Sequence, residues 1–422
     1  MIKRAMICVS LVMLITGCEE TGDCDLLSGD LCLEEAESAL SGVYFVELDP
    51  GTADIANFAQ NLSESLNFDL LHTYESAAAG FSMRVPHVLV EEIAAITGVR
   101  EVIEDDQEQY APSPEPDEDF DNEDREPELI PEIEDDQAVQ YGEYEVPEGI
   151  VRIGGPYLGG LLLEEVHVAV IDTGVDGDHP DLNVVAHFDA VGASNPSDAH
   201  PGDPDGHGTH VAGTIGARAD LDGVAGVAPG VAIHSIRVLG SDGSGYDSDI
   251  IAGMEYVLEH PEIRVVNMSL GGPSGGGLEG PFKEAVARLV DSGVVVVIAA
   301  GNESVDTEGV VPAGFNEGIV VSAYSVKDEE YAYFSNYGTA VDVSAPGTSI
   351  YSTYPASSFV ALDGTSMAAP HVAGAAALYA AQSPNPTNQV FLEELLSNGE
   401  TSYPGQGGSH PEPFLSISHL LP

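Results

Sequence analysis

The sequence predicts an α/β protein: a doubly wound parallel sheet preceded by a smaller α+β domain. Three observations carry that expectation. From residue 142 to 422, short apolar runs alternate with helical patterns, and strands alternating with helices make parallel strands joined by crossovers. Between residues 42 and 106 a shorter αβ pattern stands by itself. Between the two, composition changes sharply: Glu104 to Glu148 holds 20 acids, one base (Arg125) and six prolines. Such a stretch buries too little apolar surface to offset ordering entropy, so residues 107–141 read as an acidic, self-repelling, disordered linker.

The first segment reads as an address. Residues 1–18 are MIKRAMICVSLVMLITGC, with a basic start at Lys3 and Arg4 and an apolar run of 13 residues from Ala5 to Gly17. A helix crossing a ~30 Å hydrocarbon core needs about 20 residues. The run is too short for that and has the length of a secretory h-region, giving a signal peptide over 1–17. Its end, Leu14-Ile15-Thr16-Gly17-Cys18, resembles a bacterial lipoprotein lipobox. That resemblance implies cleavage before Cys18, lipidation of Cys18, and an extracytoplasmic protein anchored to a bacterial membrane or secreted after processing. Ordinary secretion is the competing reading. All four cysteines, Cys8, Cys18, Cys24 and Cys32, fall in the first 32 residues, so no disulfide holds the rest of the chain. With Cys18 lipidated, Cys24 and Cys32 are left as one pair or as two free thiols. Residues 18–41 read as an acidic tether.

The 422 residues carry 12 Lys and Arg against 71 Asp and Glu, a net charge of −59. That argues against binding nucleic acid by phosphate neutralisation and against docking on anionic lipid, leaving an anchor at Cys18 as the one membrane contact. It implies a solvated surface that repels acidic partners.

In the small domain, Val43 to Leu48 is strand-like and Asp54 to Leu66 has helical spacing, with Ile55, Phe58, Ala59 and Leu62 on one face. Gly80 to Val85 alternates as a strand, Val88 to Ile96 is a second helix, and Val99 to Glu104 is a last strand. The order β-α-β-β-α-β, or a close variant, predicts a ferredoxin-like unit. In the large domain, Val166 to Ile171, Ala232 to Leu239, Val265 to Leu270 and Val294 to Ala299 read as buried strands. Val211 to Arg218, Ser248 to Glu259 and Pro281 to Ser292 read as helices between them.

Four elements of the large domain carry chemistry. Val170-Ile171-Asp172-Thr173-Gly174 is an apolar strand ending in an acid, and ligands in open parallel sheets sit beyond the carboxyl ends of strands. Alone, Asp172 reads equally as a cap or turn former. In Gly206-His207-Gly208-Thr209-His210, His207 opens a helix of small residues and beside a buried carboxylate would be a general base. A metal pair of His207 and His210 is the weaker reading, and His210 reads as a buried packing residue. In Gly364-Thr365-Ser366-Met367-Ala368-Ala369-Pro370, the proline belongs to a first helical turn, so Ser366 sits at a helix start. There, free N–H groups favour developing negative charge, while the plainer reading is an N-cap serine. Asn302 follows the strand Val294 to Ala299, where its amide can donate to an oxyanion.

Together, in the order Asp, His, Asn, Ser, these elements resemble the subtilisin-like serine proteases, the subtilases, over residues 42–422. The resemblance implies a serine endopeptidase made as an autoprocessed zymogen, with Ser366 as nucleophile, His207 as general base and acid, and Asp172 orienting His207. Asn302 and the Ser366 N–H would hold the oxyanion. Ser269, Leu270 and Gly271 resemble the family's substrate-binding strand, and Ala300, Gly301 and Glu303 the primary pocket, with Glu303 at a rim that favours a basic or long polar P1 residue. It further implies structural Ca²⁺ held by Asp181 and Asp220 side chains with carbonyls of Arg218, Asp222 and Val224. An expected amide ligand near the mature start falls on Tyr144, where Glu143 or Glu145 would substitute. Residues 42–106 resemble the family's inhibitory propeptide, with processing after Tyr110 or near Tyr141-Gly142. The partners implied are protein or peptide substrates and the chain's own propeptide. The rival from another class is a non-catalytic peptide-binding lipoprotein on the same fold.

Overall fold

A computed structural model describes residues 41–106, 108–111, 138–141, 144–159, 161–200, 202–220, 223–275, 277–328, 330–383, 385–400 and 410–420. The signal peptide, the lipobox with Cys18, the other leader cysteines, most of the acidic linker, Glu143 and Asp222 lie outside the described residues.

The small domain runs β1 (Ser41–Leu48), α1 (Ile55–Leu66), β2 (Asp69–Tyr74), β3 (Gly80–Pro86), α2 (Val90–Ala94) and β4 (Val99–Glu104). Its four-stranded sheet has the order β2-β3-β1-β4. The predicted element order is present, including a strand, β2, that the apolar pattern did not single out. Asp54 starts α1 by accepting from the Asn57 N–H at 3.1 Å. Ile55 and Ala59 then face Tyr44, Val46, Phe81, Met83 and Ile93 in a separate core.

The chain continues as β5 (Glu108–Tyr110), β6 (His167–Asp172), β7 (Val184–Asp189), α3 (His207–Gly216), β8 (Ala232–Arg237), β9 (Ser244–Tyr246) and α4 (Asp247–Glu259). It goes on through β10 (Ile263–Met268), α5 (Glu279–Asp291), β11 (Val295–Ala299), β12 (Ile319–Ser325), β13 (Glu330–Tyr331), β14 (Val341–Pro346) and α6 (Thr365–Gln382). The large sheet has the order β13-β12-β11-β10-β6-β8-β7, with β14 also on β12. Every pairing in it is parallel except that of β13. From β6 the chain winds first to the β8 and β7 side and then to the β10 side, so β6 marks the topological switch point, where open α/β sheets place their sites. All four predicted strands are found, within two residues at each end. Helix α3 opens at His207, as its motif predicts, four residues before the periodic stretch from Val211, because Gly206 turns the chain with φ +104°. Helix α6 is buried from Thr365 to Leu378, as its uniformly apolar sequence requires.

Gly42–Pro422 forms one compact unit, and the small domain docks on α4. The Glu255 carboxylate accepts the N–H groups of Glu75, Ser76 and Ala77 at 2.9, 2.8 and 2.5 Å. His72 Nε2 lies 2.8 Å from Asp249 Oδ1, and the Tyr74 hydroxyl donates to the Ser248 carbonyl at 3.0 Å. Phe45, Tyr74, Ala77 and Ala78 join the core formed by α4 and α5.

Candidate active site

Four chain segments meet at the carboxyl ends of β6 and β10. Asp172 closes β6 fully buried, and its Oδ1 lies 2.8 Å from His207 Nδ1 while accepting the Thr173 N–H at 2.7 Å. Register pairs Ile171 with Met268, so Ser269, the next residue after β10, comes level with Asp172. Ser366, in the first turn of α6, places its hydroxyl 3.4 Å from the Ser269 carbonyl, and the Ser269 hydroxyl donates to the Ser366 carbonyl at 2.9 Å. His207 Nε2 is buried and makes no hydrogen bond among the described residues. Its other nitrogen is committed to Asp172, so Nε2 is the one left to take a proton.

Burial acts to lower the His207 pKa, but the Asp172 charge and hydrogen bond, with Asp205 and Asp203, outweigh it and hold the ring above its ordinary value. His207 is fixed from its backbone side as well. Asp205 accepts its N–H at 3.1 Å. Asp203 accepts from the Thr173 hydroxyl, the Gly206 N–H and both the N–H and hydroxyl of Thr209, at 2.6–2.8 Å. Asp203 and Asp205 were not among the predicted site residues. The Asp-Pro-Asp-Gly stretch before the helix was the available signal, since aspartates there cap and turn the chain. His210 is turned away, with Nε2 2.8 Å from the Ile350 carbonyl, and burial pushes it down to about 3.

Asn302 is oriented by chemistry. Its Oδ1 accepts from both the N–H and the hydroxyl of Thr365 at 2.9 Å. The Thr365 N–H can only donate, so the oxygen lies on that side and the amide NH₂ on the other. Gly301 next to it has φ +99°, and a Cβ would come within 2.3 Å of Asn336 Nδ2. Asn336 ties the pocket segment together: its Nδ2 donates to the Ala300 carbonyl at 2.9 Å and to Glu303 Oε2 at 2.6 Å. Glu303 is exposed.

A strand already lies along the cleft. β5 pairs antiparallel with β9, Tyr110 exchanges both backbone hydrogen bonds with Gly271 at 3.0 Å, and the Ala111 N–H donates to the Gly243 carbonyl at 3.0 Å. The peptide segment is therefore sandwiched between β9 and the Ser269-Leu270-Gly271 segment, as in strand addition. Leu270 is buried in the core beneath it. The first residues of the predicted linker are thus an ordered strand. Tyr110 pairs with Gly271, two residues from Ser269, and its carbonyl accepts the Gly271 N–H.

Of the predicted calcium residues, the described ones, Asp181, Arg218, Asp220 and Val224, lie near one another. Asp181 Oδ2 accepts the Val224 N–H at 3.0 Å, and the Arg218 N–H donates to the Asp181 carbonyl at 2.8 Å. Burial raises the Asp181 pKa, with the Asp220 charge adding to it. Glu145 pairs through its backbone with Gly223 and Ala225 at 2.8 and 2.9 Å. Gly223 has φ +127°, and a Cβ there would fall 1.9 Å from Asp181 Oδ2. Two carboxylates and backbone oxygens around a glycine turn are a donor set that fits Ca²⁺.

Comparison with known proteins gives one answer. Residues 164–409 match the model of the subtilase family. The chain is 43% identical over 286 residues to "Subtilisin NAT" of Bacillus subtilis subsp. natto, covering 65% of this chain and 72% of that protein. It is 45% identical over 273 residues to "Subtilisin" of Bacillus pumilus, covering 62% of this chain and 96% of that one. Among solved structures it matches a cold adapted subtilisin-like serine proteinase with TM-score 0.52 and 32% identity, over 64% of this chain and 97% of that one.

Proposed function

This chain belongs to the subtilase family and is a serine endopeptidase, and on that premise we propose how its own residues divide the work. Ser366 attacks the peptide carbonyl after its hydroxyl turns from the Ser269 carbonyl towards His207 Nε2. His207 takes that proton and returns it to the leaving amine, while Asp172 holds the ring in the required tautomer and stabilises its charged form. The Asn302 NH₂ and the N–H groups at the start of α6 receive the oxyanion. The observation that carries this reading is the buried Asp172–His207 pair, whose Nε2 makes no hydrogen bond among the described residues, with Ser366 held on Ser269, the residue level with Asp172. Substrate binds as an added strand on Ser269 to Gly271, with Ala300, Gly301 and Glu303 lining the P1 pocket. Glu303 turns towards Asn336 in the present arrangement, and a basic or long polar P1 side chain would draw it away.

Residues 41–111 act as the inhibitory propeptide of a zymogen. The docked sheet and β5 across the cleft support this, since a substrate strand has nowhere else to pair. Among the two predicted processing sites, the pairing disfavours Tyr110. Its carbonyl is bonded to Gly271 and so is not presented to Ser366. An extended peptide in this register sets the residue two further on level with Ser269. In this sequence that residue is Pro112, which has no N–H to offer the Ser269 carbonyl. That leaves processing near Tyr141-Gly142, which would remove the acidic linker together with any anchor at Cys18. Ca²⁺ at Asp181, Asp220, Arg218, Asp222 and Val224, with Glu145 as the added carboxylate, would fix the turn at Gly223. Among the described residues no helix is long and apolar enough to cross a membrane, so secretion or lipid anchoring would rest on the leader.

The test is intact mass of the full precursor, with and without Ser366→Ala, incubated with calcium. Cleavage of the parent alone, with a new terminus near Gly142, is expected. Two folded but uncut proteins, with no fluorophosphonate adduct on Ser366, would favour the non-catalytic peptide-binding reading.

A further inference from the structure

The end of the large sheet opposite the active site carries a group of side chains that proteolysis does not use. His167 opens β6, His234 lies on the neighbouring β8, and Glu262 directly precedes β10 on the other side of β6. Register sets Ala232 beside His167 and His234 beside Ala169. The two histidines therefore share one face of the sheet, diagonal to each other. His167 Nδ1 lies 2.8 Å from His234 Nε2. One ligand atom from each of His167, His234 and Glu262 falls within 4.8 Å of the other two.

The surroundings orient these rings. His234 Nδ1 lies 3.3 Å from the Tyr256 hydroxyl, and in the tautomer whose Nδ1–H donates to that oxygen, Nε2 carries the outward electron pair. Tyr256 is itself clamped between Phe188 and His260, with ring centroids 5.0 and 3.8 Å away. The His260 Nδ1 is fixed on the Tyr256 carbonyl at 2.7 Å. Metal-binding histidines are held in this way, with the second ring nitrogen bonded to an outer group. A simple His–His hydrogen bond accounts for the two rings but not for the carboxylate brought to the same point.

We propose that His167 Nδ1, His234 Nε2 and the Glu262 carboxylate form a site for a divalent transition-metal ion of the zinc class. Two imidazoles and one carboxylate suit Zn²⁺ with water in a fourth position. Zn–N bonds of about 2.0–2.1 Å in a tetrahedron set the nitrogens about 3.3 Å apart. The rings need to part by about half an ångström, which is open to His167 at the partly exposed start of its strand. At about 3.3 Å per residue along β6, the site lies about 16 Å from Asp172. The ion would clip β8, β6 and β10 together at their amino ends without touching the reaction.

The experiment uses the full-length Ser366→Ala precursor, stripped of metal and resupplied with Ca²⁺. Co²⁺ is titrated in as the probe, with visible absorption as the readout, and Zn²⁺ then competes it away. One equivalent with a four-coordinate ligand-field band is expected. His167→Gln and His234→Gln should each abolish it, and Glu262→Gln should weaken it at least tenfold. His207→Gln should leave it intact. The proposal is overturned if the parent shows no saturable band, or if binding survives in a folded His234→Gln protein. It is overturned equally if the only band is the near-ultraviolet charge transfer that leader cysteine thiolates would give.

Discussion

Replacing Asp247 with Asn should remove much of the pH sensitivity of an inhibitory contact. Asp247 opens α4 and is buried, with its Oδ1 accepting from Gln109 Nε2 at 2.9 Å. Burial, with Asp106 and Glu279 adding, pushes it up to about 7 from an ordinary 3.8, despite the Gln109 bond. Asp105 beside it is raised well above its ordinary value for the same first reason. Gln109 and Asp105 belong to the covering segment, so its departure returns Asp247 to water. The bound form then holds a proton that the free form releases. Association is strongest below about pH 4, weakens as pH climbs from 4 to 7, and levels off above 7. A shift of about 3 units at ~1.36 kcal/mol each sets a ceiling of about 4 kcal/mol, or roughly a thousandfold in affinity. Asn keeps the acceptor for Gln109 Nε2 without a titrating proton, and Gln109 Oε1 makes no hydrogen bond among the described residues that the change would break. The assay is the inhibition constant of residues 41–111, added in trans to the processed enzyme, between pH 5 and 8. The inhibition constant should rise at least tenfold across that range, and Asp247→Asn should shrink the rise to the part carried by Asp105 and bind at least tenfold tighter at pH 8. A pH-independent constant, or weaker inhibition of the Asn form at pH 8, would refute the reasoning.

Two further changes test the site itself. Asn302→Ala removes the oriented amide, and since loss of such a donor in a subtilisin costs about 10²–10³ in kcat, a fall of that order with little change in KM is expected from steady-state peptide hydrolysis. Gly223→Ala puts a methyl against Asp181 in a left-handed turn, at a cost of about 1–3 kcal/mol; thermal melts should show a lower Tm and a smaller rise on adding Ca²⁺.

What was legible in the sequence was local. Val168 to Ile171 and Val295 to Ala299 are continuous apolar runs because both faces of a parallel strand are buried. Asp172, Asn302 and Ser366 could be placed because each follows directly on a strand or opens a helix. Strand β2 was missed because Asp69 to Thr73 is only partly buried, so its two faces differ little in polarity and no alternation shows. The segment Glu108 to Tyr110 was read as linker for a related reason. Its acidic composition is that of the stretch it begins, and it is a strand only because β9 and Gly271 supply partners on both sides.

The rest depends on contacts between residues far apart in the chain. Glu255 looks like any helix-surface acid, yet three N–H groups about 180 residues earlier make it the anchor of the small domain. His167, His234 and Glu262 have no common spacing; parallel register alone makes them neighbours. Asp105 and Asp247 would each pass for part of the chain's general acidity. Buried together under one strand, they become the place where removing a proton acts directly on whether that strand stays. The chain has 71 acids, and among the described residues most carboxylates are at least partly exposed. The informative ones are those that folding takes out of water, and no composition or period marks them beforehand.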